Sequence, residues 1–213
     1  PMRVHALSGW LLISVAASAS LVSTGAWAQV SEGDRRLRRQ LLQYAHEAQS
    51  AGRVEEALAL ALRADQIDPT AGTRLIAARL RVQLGRYAEA LSSAEQCLRE
   101  VDHDTQTTAQ NRRALRADCE AVRAQAAARV GALAVSVPAG APDTLRVTIN
   151  GGELRPPMYG IARAMDVGSV TVTATLPGAP PWSRQIAITA GREESVAAGT
   201  HERAPDRRSG ADS

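Results

Sequence analysis

A seven-residue string occurs twice in this chain, and that internal repeat is the strongest constraint on its fold. Residues 52–58 read Gly-Arg-Val-Glu-Glu-Ala-Leu, and residues 85–91 read Gly-Arg-Tyr-Ala-Glu-Ala-Leu, a displacement of 33 positions. Internal repeats of about this period are typical of stacked helical hairpins, which hold partners on an extended surface. The repeat therefore favours a binding function over catalysis.

Helical periodicity surrounds both copies of the string. In each copy, apolar residues at helical spacing lie before and after a glycine, Gly52 or Gly85, and Pro69 follows the first copy. Glycine accepts the left-handed backbone that ends a helix, and proline cannot continue one. We therefore predict two helical hairpins over residues 31–101, with an ordinary helical bundle as the alternative.

The hairpins resemble the tetratricopeptide repeat family. The turn glycines Gly52 and Gly85, the small residues Ala57 and Ala90 at the helix crossing, and Pro69 match its pattern. Three family positions differ here: Leu41 and Arg74 replace an early aromatic residue, Ala45 and Ala78 replace a glycine, and Asp102 replaces a second proline.

This resemblance implies a concave face that binds a protein segment and is formed by the first helix of each hairpin. The matching positions are Arg39, Leu42, His46, Gln49, Leu75, Arg79 and Val82. Their mixed apolar and basic character suits an extended segment that carries an acidic group, with arginines as donors. The alternative is that Leu42 and Leu75 pack against the start of the mature chain.

The amino terminus has the pattern of a secretory signal peptide. Arg3 precedes a mostly apolar stretch over residues 6–22, and Ala26-Trp27-Ala28 forms a small-x-small cleavage site. We predict removal of residues 1–28, with Gln29 as the first mature residue. A retained membrane anchor is the alternative, although serines dilute the stretch. No second apolar span follows, so the mature chain is predicted to lack a transmembrane segment.

Cys97 and Cys119 are the two cysteines of the chain. In an oxidising compartment their expected state is a disulfide, with two buried free thiols as the alternative. Cys119 lies in an Ala- and Arg-rich helix predicted at about residues 109–129, so the bridge fastens a capping helix, residues 104–130, onto the array. A symmetric turn places Cys97 opposite residue 113, so the two helices must be staggered.

After Arg129 the apolar spacing changes from helical to alternating, which predicts a second domain over residues 131–198. Alternation around Leu133, Val147, Val172 and Ile188 indicates short strands, and Asn150-Gly151 is a hairpin turn signal. We predict a small antiparallel β-sandwich with Trp182 in its last hairpin. The fold class is therefore α+β with several domains.

The β half resembles the PEGA family of extracytoplasmic domains. The corresponding strings are residues 137–141, Val-Pro-Ala-Gly-Ala, then Ile149-Asn150-Gly151, Val167-Gly168 and Leu176-Pro177-Gly178. The resemblance implies a periplasmic or cell-envelope location and an adhesive or scaffolding role. We predict an adaptor that joins a protein partner to an envelope component; a cell-wall or glycan-binding module acting through the β half is the alternative.

Charge and motifs indicate no chemistry beyond binding. The formal net charge is +3, which is too near balance to imply a nucleic-acid partner. The basic run at residues 35–39 is interpreted as a solvated helix turn. Histidines are scattered and glutamate pairs are adjacent, so we predict no enzyme activity, no metal and no cofactor. The last segment, residues 199–213, is predicted to be disordered.

Overall fold

A computed structural model describes residues 31–104 and 107–199, and these comprise five α-helices followed by seven strands, with a short 3₁₀ helix (Pro156–Met158) among the strands. The helices are α1 (Glu32–Ser50), α2 (Val54–Ile67), α3 (Ala71–Gln83), α4 (Tyr87–His103) and α5 (Ala109–Ala127). Helices α1 and α2 form hairpin 1, and α3 and α4 form hairpin 2, which confirms the predicted helical architecture. The predicted signal peptide and nearly all of the predicted tail lie outside the described residues.

The turns of the two hairpins have the same geometry. Gly52 and Gly85 have φ values of 75° and 71°, in the left-handed region that glycine adopts without strain. The amide of Arg53 donates to the Ala48 carbonyl at 2.9 Å, and the amide of Arg86 donates to the Arg81 carbonyl at 2.9 Å. These bonds satisfy carbonyls that the end of a helix leaves unpaired. The repeated string therefore specifies a repeated turn.

Helix α3 packs on both sides. On one side Ala77 and Leu80 lie in a core shared with hairpin 1, which includes Ala48, Leu58 and Ala61. On the other side a second core joins α3 to α4 and α5, and it consists of Ala71, Leu75, Ala78, Ala94, Cys97, Val101, Cys119 and Val122. Most of these side chains are small, so the helices approach closely and leave α3 at the centre of the array.

A disulfide joins Cys97 of α4 to Cys119 of α5, with their Cα atoms 6.1 Å apart. Both residues are fully buried. The bridge links the helices with the stagger that the sequence required, and α5 covers the exposed end of hairpin 2. The predicted disulfide is present, and α5 lies within residues 104–130, the range predicted for the capping helix.

The β half begins directly after α5. Its strands are β1 (Val130–Ser136), β2 (Arg146–Ile149), β3 (Gly152–Leu154), β4 (Arg163–Asp166), β5 (Gly168–Thr175), β6 (Trp182–Ile188) and β7 (Glu193–Ala197). One sheet has the order β4-β1-β7, and the other has the order β3-β2-β5-β6. Buried residues from both sheets form a single core, which includes Leu133, Val135, Val147, Val172 and Val196. The two sheets therefore pack as a small sandwich.

The small sandwich is antiparallel as predicted, apart from one strand pair. β7 runs parallel to β1, with Val135 opposite Val196, whereas the other strand pairs are antiparallel. A parallel pair needs a crossover connection rather than a tight turn, and here the chain crosses from the four-stranded sheet back to the three-stranded one. The predicted hairpin turn is present between β2 and β3, where Asn150 and Gly151 have φ values of 48° and 80°.

One hydrogen bond crosses between the halves, and a second contact lies beside it at the end of α5. The Asp166 carboxylate of β4 accepts a hydrogen bond of 2.7 Å from the amide of Ala88 in the first turn of α4. The Arg129 guanidinium lies 5.6 Å from the ring centroid of Tyr87, a cation–π distance. Since β1 follows α5 within three residues, the joint has no flexible linker.

Candidate functional site

The structure places the four predicted binding residues of α1 along one side of that helix. Arg39 and His46 are exposed, whereas Leu42 and Gln49 are half-buried. Gln49 donates a hydrogen bond of 3.1 Å to the side chain of Gln83 on α3. The two first helices of the hairpins are therefore linked directly at this side of the array.

The three predicted binding residues of α3 are divided between surface and core. Arg79 is exposed, and its guanidinium lies 3.0 Å from the carboxylate of Asp118 on α5. Val82 is half-buried, and Leu75 is only 5% exposed in the core beneath α4 and α5. Leu75 and Val82 lie on the side of α3 that packs on the following helices. Leu75 is therefore a core residue beneath the predicted binding surface.

The surface formed by Arg39, His46, Gln49, Arg79 and Gln83 keeps the name of the predicted surface, the concave face. It is crossed by two polar links, Gln49 to Gln83 and Arg79 to Asp118. Together these links connect α1, α3 and α5. Arg39 has no hydrogen-bond or ion-pair partner among the described residues, so its donors are free for an acidic group.

A second feature, which the sequence did not predict, is a cleft on the opposite side of α3. Its volume is about 670 Å³, and residues of α2, α3 and α4 line it together with Met158, Arg163 and Ala164 of the β half. We call it the joint cleft. Both halves of the molecule contribute to it, so their relative position determines its shape.

Two arginines of α3 form the helical wall of the joint cleft. Arg74 and Arg81 are seven residues apart, two helical turns, and their side chains are only 17% and 18% exposed. The Arg74 guanidinium lies 3.8 Å from Asp65 and 3.4 Å from Glu100, and it donates to the side chain of Gln96. The cleft wall is therefore a paired network of charges.

Arg81 makes a similar set of contacts two helical turns further along α3. Its Nε lies 3.1 Å from the Glu89 carboxylate, and its Nη1 donates to the hydroxyl of Ser93. The Nε atoms of Arg74 and Arg81 are buried and have no hydrogen bond of good geometry. Each arginine is thus held by a carboxylate and a neutral acceptor from α4, which orients both guanidinium groups.

A sequence signal for this network exists in the repeat itself. The positions equivalent to Arg74 and Arg81 in hairpin 1 are Leu41 and Ala48, which are buried. Charged residues at two positions that are apolar in the other copy indicate a polar environment specific to hairpin 2. In the family resemblance, Arg74 was only a position that differs from the family pattern, and no role was predicted for it.

The remaining chemistry of the described residues is simple. Among residues 31–104 and 107–199, no group of three or more His, Cys, Asp or Glu side chains is arranged to hold a metal ion. Within the same residues, none of the helices has the length and apolar character needed to cross a membrane.

No family model, curated protein or solved structure matches this chain. What the chain binds must therefore be inferred from its own surfaces.

Proposed function

We propose that this chain is a non-enzymatic adaptor of the bacterial cell envelope. In this proposal the helical half binds a protein segment, and the β half docks on another envelope component. The observation that supports it best is the joint, where the Asp166 carboxylate of β4 accepts a hydrogen bond from the first turn of α4. A joint fixed in this way presents two different faces at a constant distance, which is what an adaptor requires.

The proposed site for the protein segment is the concave face. Arg39 offers an unpaired guanidinium, and Arg79 shares its charge with Asp118 at an exposed position. An acidic side chain of an extended segment would gain charge-assisted hydrogen bonds from both. The polar links between α1, α3 and α5 keep these donors in place.

An envelope location is supported by two features. Residues 1–28 have the pattern of a signal peptide, and the Cys97–Cys119 disulfide is of the kind that persists in oxidising compartments. Mass spectrometry of exported protein that shows residues 2–28 still attached would contradict the predicted cleavage before Gln29.

The glycan-binding alternative places the activity in the β half. Sugar sites commonly present aromatic faces, and Tyr159 and Trp182 are the aromatic residues of this half. Both are partly buried against the sandwich core, so their rings are engaged in packing. This packing favours the adaptor. Pull-down of the full chain by purified peptidoglycan would favour the alternative.

The adaptor proposal is tested by crosslinking in the intact envelope. We expect Arg39→Glu with Arg79→Glu to lower the yield of the crosslinked partner, because both positive donors become negative. The matched control is Arg63→Glu with Arg99→Glu, which makes the same charge change at exposed positions of α2 and α4. Mass spectrometry then identifies the partner joined to the helical half.

Folding is monitored in the same variants by circular dichroism. Exposed substitutions of this kind usually change stability by less than about 0.5 kcal/mol, so all melts should stay close to the wild type. An unchanged crosslinking yield together with an unchanged melt would show that the concave face is not the binding surface.

A further inference from the structure

Helix α1 has a second exposed side, away from the concave face. Leu37, Gln40, Tyr44 and Glu47 follow each other at helical spacing on this side, which we call the outer face of α1. Leu37 is 47% exposed and Tyr44 is 45% exposed, and both are large apolar side chains. The Gln40 amide donates to the Tyr44 hydroxyl at 2.9 Å, so the Tyr44 ring is held along the helix.

The repeat shows what this side of the helix does in hairpin 2. The positions equivalent to Gln40, Tyr44 and Glu47 are Thr73, Ala77 and Leu80. They are 1%, 2% and 1% exposed, and Ala77 and Leu80 pack against hairpin 1. This side of a first helix is therefore the side that receives a neighbouring hairpin, and no described residue covers it on α1.

Charged residues at the two ends of the outer face indicate the charge pattern of a surface that would cover it. Arg36 is exposed at one end and has no hydrogen-bond or ion-pair partner among the described residues. Glu47 at the other end accepts a hydrogen bond of 3.1 Å from the side chain of Gln43. The face thus has a positive end and a negative end, separated by about three helical turns.

An antiparallel pair of α1 helices would match this pattern twice. If two copies cross near Gln40, Leu37 of each copy lies against Tyr44 of the other. The same crossing brings Arg36 of each copy beside Glu47 of the other. A two-fold axis repeats each contact, so the face is complementary to itself, as an isologous interface requires.

We propose that a second copy of this chain covers the outer face of α1 and forms an antiparallel, two-fold dimer. A contact of one helix on one helix is at the small end of specific interfaces, so the dimer is weak, with a Kd of about 10–100 µM. This inference does not depend on the adaptor proposal, because it uses a different side of α1.

Sedimentation velocity of the exported full chain tests the proposal. Between about 1 µM and about 1 mM, the wild type should shift from monomer to dimer. Leu37→Glu with Tyr44→Glu should remain monomeric throughout, because it places charges in the apolar centre. The control, Ile161→Glu, changes a residue that is 50% exposed on the β half and should dimerise as the wild type does.

Charge exchange provides the sharper test. Arg36→Glu alone and Glu47→Arg alone should each weaken the dimer about tenfold, since each creates two like-charge contacts. The double variant Arg36→Glu with Glu47→Arg exchanges the partners and should restore dimerisation to near the wild-type level. A wild type that stays monomeric, or a double variant weaker than both single variants, would overturn the proposal.

Discussion

Hairpins 1 and 2 have the same turn but different neighbours. Comparing them distinguishes the residues that determine the path of the chain from those that determine its contacts. Gly52 and Gly85 close both hairpins with nearly equal φ values and the same hydrogen bonds. Elsewhere the copies differ: the buried Leu41 corresponds to Arg74 at the joint cleft, and the exposed Tyr44 corresponds to the buried Ala77. The shared string fixes the path of the chain, whereas the variable positions follow the neighbours of each hairpin.

The largest expected difference between the hairpins is the loss of stability on substitution by alanine at the equivalent positions 47 and 80. Leu80→Ala removes a side chain that is 1% exposed and leaves a cavity between the hairpins. We expect a loss of about 2–5 kcal/mol in the free energy of unfolding. Glu47→Ala changes an exposed residue and should cost less than about 0.5 kcal/mol. Chemical denaturation at a protein concentration low enough to keep the chain monomeric measures both.

Equal losses at these two positions would contradict the comparison. That result would mean that the outer face of α1 is as tightly packed as its counterpart in α3. Leu84→Ala provides an intermediate control, because Leu84 is only partly buried against the same core.

A second test removes a feature that hairpin 2 has and hairpin 1 lacks. Cys97 corresponds to Ala64, so the disulfide to α5 has no counterpart in hairpin 1. Cys97→Ala with Cys119→Ala should lower the free energy of unfolding by roughly 3 kcal/mol, since the bridge limits the unfolded chain. Denaturation of the variant is compared with that of the oxidised and the reduced wild type.

The reduced wild type should unfold near the midpoint of the double variant. If the oxidised wild type and the double variant shared one midpoint, the bridge would have no role in stability. Freely alkylatable thiols in native, non-reduced protein would contradict the disulfide itself.

The smallest effect tests the similarity of the hairpins. No atom lies within 4 Å of a Cβ built at Gly52 or Gly85, so an added methyl group meets no steric clash. The cost of Gly52→Ala or Gly85→Ala is therefore conformational, about 1 kcal/mol each for a left-handed residue. We expect the two variants to lose equal stability in thermal unfolding. A difference well above this cost would show that the turns are not equivalent.

The helical half was largely predictable because its signals are local. Apolar spacing, the turn glycines and Pro69 lie within one or two helical turns of the structure they specify. The Asn150-Gly151 turn is local in the same way. The disulfide was also predictable, because the chain contains only Cys97 and Cys119.

The features of the β half that the sequence did not predict depend on contacts between residues far apart in the chain. β4 has the sequence Arg-Ala-Met-Asp, without clear alternation, and it forms because β1 pairs with it. β7 pairs with β1 in parallel across about 60 residues of sequence, with Ser136 opposite Ala197. Strand periodicity gives neither the partner nor the direction of such a pair.

The candidate site was predicted only in part for a similar reason. The positions that the family resemblance implied include Arg39, His46 and Arg79, which lie at the surface. They also include Leu75, because the resemblance did not distinguish the side of α3 that packs on later helices. The residues that line the joint cleft come from both halves, so no single segment of the sequence contains all of them.

The hydrogen bond between Asp166 and Ala88 also affects how the chain folds. Helix α4 begins after Arg86, which makes no side-chain cap, and the carboxylate that accepts from its first turn comes from a strand 78 residues later. In the folded chain the first turn of α4 is therefore completed by a residue of β4, which pairs with β1. Loop closure over such a distance is a slow contact to make, so the docking of the two halves belongs to a late step of folding. Docking of the two halves is consequently expected to couple the unfolding of hairpin 2 to that of the sandwich.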